Sequence, residues 1–81
     1  MKAQVVVTLK RDVLDPQGQA IQKACVALGQ PQVRDVRQGK LFEIEWEGQD
    51  RKGLELAVQE IAEKLLANPV IEDFRIVSIQ I

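Results

Sequence analysis

Glu43, Glu45 and Glu47 occupy alternate positions in the run Leu41–Glu47, a spacing that on a strand sets their carboxylates in one row. Such a row suits divalent-cation binding or paired acid–base work. A half-buried strand with its wet face outward explains the same spacing equally well. Phe42 and Trp46 alternate with the glutamates and resemble the stacking aromatics of an RNA-recognition module. The first apolar run offers them no aromatic partner. The 11 basic and 12 acidic residues leave a net charge of -1, the wrong sign for a nucleic-acid backbone. Both aromatics are therefore assigned to the core. Inventory excludes other chemistry. The chain has no histidine and no tyrosine, and Cys25, Ser78 and Thr8 are each the sole residue of their type. A Ser–His–Asp or Cys–His site cannot be assembled from it, nor a histidine-ligated zinc. Cys25 falls on the apolar stripe of a helix and reads as a buried thiol; Ser78 has nothing to activate it. No catalytic residue, metal ligand or cofactor-binding residue is assigned.

Two places ask for more explanation. The stretch Lys10–Gly18 carries Asp15-Pro16, a helix-start signature, because a carboxylate accepts an orphan N–H and proline suits the first helical position. Gly18 within that first turn costs about 0.5–1 kcal/mol relative to alanine, which the close approach of a partner backbone would justify. The second place is Arg51-Lys52-Gly53, where cations at a helix start oppose the macrodipole by roughly 0.3–1 kcal/mol. An anion site and a solvated loop are the two readings of it.

The elements that must position these residues follow from period. Ala3–Leu9, with Val5, Val6 and Val7, reads as a strand. Ile21, Ala24, Cys25 and Leu28 fall at i, i+3, i+4 and i+7 on a first helix that Gly29 and Pro31 end. Val33–Arg37 and Leu41–Glu47 read as two strands joined by a tight turn at Gln38-Gly39, with Gly39 supplying a positive φ. A second helix runs from about Asp50 to Leu66, with Leu54, Ala57, Val58, Ile61 and Leu65 on its stripe and Asn68-Pro69 as its stop. Phe74–Ile81 closes the chain as a strand with apolar residues on both faces. The order β-α-β-β-α-β predicts an α+β ferredoxin-like sandwich, a four-stranded antiparallel sheet with both helices on one face.

The 81 residues make a single domain, 1–81, with 46% hydrophobic content and no sign of disorder. A lone cysteine gives no internal disulfide, no signal peptide is visible at the start, and no apolar run approaches the roughly 18 residues of a membrane span. The chain reads as cytoplasmic, with neither membrane nor nucleic acid as partner. So small a core predicts self-association into a dimer or tetramer. Helices on one face leave the other sheet face open, and Val6, Phe74 and Ile76 are the candidates for burial there.

Three blocks of this sequence resemble the PurS family, the small subunits of bacterial and archaeal phosphoribosylformylglycinamidine synthase. They are Val7–Lys10 with Val13–Gly18, then Val36–Lys40, then Leu65–Phe74. Trp46–Lys52 lies outside them. The resemblance implies a subunit with no active site of its own, in a complex that converts formylglycinamide ribonucleotide, glutamine and ATP to formylglycinamidine ribonucleotide, glutamate, ADP and phosphate in purine biosynthesis. It assigns ATP and substrate to a PurL-type synthetase and glutamine hydrolysis to a PurQ-type glutaminase, with the small subunit joining the two. Free ammonia is mostly protonated in neutral water, and a docked, water-excluding assembly keeps it nucleophilic. The block residues Lys10, Asp15, Pro16, Gly18, Arg37, Gly39 and Lys40 become the candidate subunit interface, since loops on a rigid scaffold are where recognition usually resides. Local geometry is the competing role for Asp15, Pro16 and Gly39.

Two other classes share the element order. An ACT-like regulatory module would bind a free amino acid. An acylphosphatase-like enzyme would set Arg11 beside a phosphate, but the one asparagine, Asn68, stands at the helix-two stop where it cannot orient a water.

Overall fold

The computed structural model of the chain describes residues 1–80. Strand β1 (Lys2–Leu9) leads through a loop to helix α1 (Pro16–Ala27), and an extended segment then reaches strand β2 (Gly39–Glu45). Helix α2 (Arg51–Ile61) continues into one π-helical turn, Ala62–Leu66, before strand β3 (Glu72–Gln80). The strands form one antiparallel sheet in the order β2-β1-β3. Both helices start on an aspartate whose carboxylate accepts the N–H of the third helical residue: Asp15 from Gly18 at 2.9 Å and Asp50 from Gly53 at 3.1 Å. Gly29, at φ +106°, ends α1 in the left-handed conformation that glycine tolerates.

The core lies between β1 and α2. Ala3, Val5 and Val7 on one face of β1 are fully buried, as are Leu54, Val58 and Ala62. Cross-strand pairing sets Phe42 and Ile44 of β2, and Phe74, Ile76 and Ile79 of β3, on that same face. The spacing of Ile76 and Ile79 requires a parity change. A β-bulge supplies it, since Gln4 pairs with Ser78 and Val5 with Ile76, leaving Val77 as the extra residue. Ile81 falls outside the described residues.

Four expectations need correction. Val33–Arg37 forms no strand, so the sheet has three strands. Gln38-Gly39 forms no turn: Gly39 opens β2, and the positive-φ glycines are Gly29 and Gly48. Gly39 answers a close approach, because a Cβ there would lie 2.8 Å from the Val7 carbonyl oxygen. Only α2 covers the sheet; among the residues of α1, Gly18 alone is buried. Finally, Phe74 and Ile76 belong to the helix-side face, opposite Val7 and Val5, whereas Val6 pairs with Leu41 and Arg75 on the open face. These three do not form one surface.

Candidate functional site

The loop after β1 and the segment before β2 meet at Asp15, 6% exposed. One carboxylate oxygen caps α1 through the Gly18 N–H, and the other accepts the Gln38 N–H at 2.7 Å. These two backbone bonds, with the nearby Arg37 guanidinium, hold the Asp15 carboxyl below its ordinary value of 3.8 against the opposing effect of desolvation. Arg37 ties the same two stretches from the other side, donating to the carbonyl oxygens of Val13 at 2.7 Å and Arg11 at 2.9 Å. Asp35 stands 3.8 Å from both Arg37 and Arg11. Gly18 has no Cβ because the Val36 carbonyl oxygen occupies that space. The close approach anticipated for Gly18 is thus made by the chain's own backbone.

This junction explains the missing strand. Gln22 donates to the Val33 carbonyl at 2.9 Å, Val36 is packed on Gly18, and the Gln38 N–H is spent on Asp15. Backbone groups held by the loop are not free for a ladder beside β2. The block residues are therefore brought together, with differing duties. Asp15, Pro16, Gly18 and Gly39 satisfy local geometry. Arg37 has its guanidinium on carbonyls, Lys10 reaches Asp73 at 3.7 Å, and Lys40 is exposed and in no ion pair among the described residues. Leu9, Gln17, Gln38, Lys40 and Glu72 line a shallow hollow beside the junction. The carbonyl-capping work of Arg37 was invisible in sequence, although Asp35 two residues away hinted at a charged cluster.

The remaining candidates stand apart. Glu43 and Glu45 are exposed on the open face, where Lys2 lies 3.5 Å from Glu43, and no group of acidic or cysteine residues among those described could hold a metal ion. Cys25 is half-exposed. Ser78 donates to Gln4 at 3.1 Å. Arg51 opens α2, not a loop, and pairs with Glu55 one turn on at 3.2 Å. No described helix is long and apolar enough to cross a membrane.

Comparison with known proteins agrees on one family. Residues 2–80 match the model of "PurS: Phosphoribosylformylglycinamidine (FGAM) synthase". The chain is 51% identical over 74 residues to the phosphoribosylformylglycinamidine synthase subunit PurS of Bacillus subtilis, covering 91% of this chain and 87% of that one. It superimposes on the structure of B. subtilis PurS with a TM-score of 0.79 at 50% identity, over 94% of each chain. A chain in the structure of PurLQS from Thermotoga maritima matches with a TM-score of 0.82 at 25% identity, over 98% of this chain and 99% of that one. A likeness that runs through the junction residues and almost the whole of each relative is more than a shared architecture: the chain belongs to the PurS family of phosphoribosylformylglycinamidine synthase subunits.

Proposed function

We propose that the chain is a non-catalytic small subunit of phosphoribosylformylglycinamidine synthase in the cytoplasm. As one domain, 1–81, it joins a PurL-type synthetase to a PurQ-type glutaminase for ammonia transfer in purine biosynthesis. The observation that carries this reading is the full-length match to a chain of the PurLQS structure. ATP and glutamine are used by the larger subunits, and no cofactor is assigned to this chain. The sequence, without histidine, supports such a division of labour. The three strands are read as a ferredoxin-like sheet lacking one edge strand, since their order and antiparallel sense fit that topology.

The junction is the proposed docking surface. Asp15 and Arg37 tie two chain-distant stretches together, and Gln17 and Lys40 line the hollow beside them, with Lys10, next in the chain to Leu9 of that hollow, paired to Asp73. Reconstitution tests the reading. Glutamine-dependent synthesis should require all three chains, with no turnover of glutamine or ATP by this chain alone. Full glutamine-dependent rate from the two larger subunits without it would reject the proposal.

A further inference from the structure

Strand β3 has a neighbour on one side only, since the sheet order among the described residues is β2-β1-β3. Every second residue of such an edge strand turns its N–H and C=O away from the sheet, where they need water or a partner. The edge is guarded unevenly. Glu72, Asp73 and Arg75 charge its first half, whereas Ile76–Ile79 has neither a charge nor a proline. Beside that uncharged stretch stands one flank of α2, with Lys52, Glu55, Leu56 and Gln59 at i, i+3, i+4 and i+7. Helix and strand edge border an open groove of about 630 Å³. Leu56 and Val77, both on its walls, are 66% and 42% exposed. From Lys52 to Gln59 the flank runs about 10 Å, and Ile76–Ile79 extends about as far. A groove between a helix and a free strand edge, long enough for four extended residues, takes a peptide as an added strand.

Charge selects the occupant. Glu55 answers Arg51 at 3.2 Å, while Lys52 is in no ion pair among the described residues. The β3 strand of a second copy would bring Lys52 no anion. Its Ile76–Ile79 stretch is uncharged, its Glu72 carboxylate accepts the Asn68 N–H at 2.7 Å, and its Asp73 is paired with Lys10. The start of β3 also borders the junction hollow through Glu72, so a single partner can reach both surfaces along one strand. We propose that an extended segment of one of the larger synthase subunits adds to the edge of β3 at Ile76–Ile79, with aliphatic side chains over Leu56 and a carboxylate beside Lys52. Such an addition rests on the role of the chain as a synthase subunit, and failure of that role has its own readout: synthesis that needs no third chain.

Hydrogen–deuterium exchange of the full chain, alone and mixed with the PurL-type or the PurQ-type subunit, tests the added strand. One of the two subunits should slow the outward-facing amides of Ile76–Ile79 by roughly 100-fold or more. Lys52→Glu and Leu56→Glu, both at exposed positions, should leave the free chain folded and each weaken binding to that subunit by roughly tenfold or more. Unchanged exchange at Ile76–Ile79 in a complex that does form would overturn the proposal, as would undiminished binding of either variant. Protection already present in the free chain and rising with its concentration would give the edge to a second copy and overturn it equally. If a variant unfolds, the exchange of the wild type decides. Binding of neither subunit would reject the synthase role itself, and the added strand with it.

Discussion

At the scale of single residues, Asp15 and Gly18 carry the tightest constraints, and both act through backbone. A Cβ at position 18 would fall inside contact with the Val36 carbonyl oxygen, and main chain cannot swing aside as a flexible side chain would. Gly18→Ala should therefore destabilise by about 1–3 kcal/mol, read as a lower denaturation midpoint with unchanged slope. Alanine's higher helix propensity offsets at most about 1 kcal/mol of that. Asp15 adds a pH dependence of known sign. Its folded carboxyl titrates below the ordinary 3.8, so its stabilisation is complete above the unfolded value and is lost as pH falls through the folded one. Asp15→Asn should lower Tm at pH 7, with the gap to wild type narrowing as pH falls through the lowered folded value. A gap constant from pH 7 to pH 2 would show that the charge contributes nothing.

At the scale of elements, the sheet and α2 hold the core, and α1 is an appendage to it. Leu54, fully buried against β1, should cost about 2–5 kcal/mol as Leu54→Ala. Leu65 is on the same sequence stripe but 78% exposed, because the helix switches to a π turn at Ala62 and rotates the following positions. Leu65→Ala should stay within about 0.5 kcal/mol of wild type; paired chemical denaturation curves check both. The bulge at Val77 has the same logic in a strand. It lets Phe74, Ile76 and Ile79 share a face although their spacing breaks the alternation.

At the scale of the whole molecule, the junction divides into residues that hold the loop and residues free to meet a partner. Arg37→Ala would release two carbonyl caps, so any loss of assembly it caused would mix folding with recognition. Lys40→Ala separates them, since Lys40 is exposed and in no described ion pair. It should leave Tm unchanged and slow association with the larger subunits, with a weaker salt dependence than wild type. Association kinetics at two ionic strengths, beside a melting curve, make the test. An unchanged rate would remove Lys40 from the proposed docking surface.

Local sequence by itself determined much of this protein. The caps at Asp15 and Asp50 and the stop at Gly29 mark the helices, and the Val5–Val7 run, the alternation through Phe42 and Ile44 and the apolar run from Phe74 mark the three strands, because capping and period act over a few residues. The blocks around Asp15, Arg37 and Asn68 were enough to indicate the family. Only the tertiary structure decided what Val33–Gln38 became. Its valines suit a strand, yet Asp15, Gly18 and Gln22, all distant in sequence, engage its backbone and leave it without a ladder partner. The same contacts settled that Gly39 is a close-approach glycine and that Arg37 is a carbonyl cap. They also carry α1 off the sheet, a placement that turn propensities and helical period could not fix because both describe neighbours along the chain and not across it.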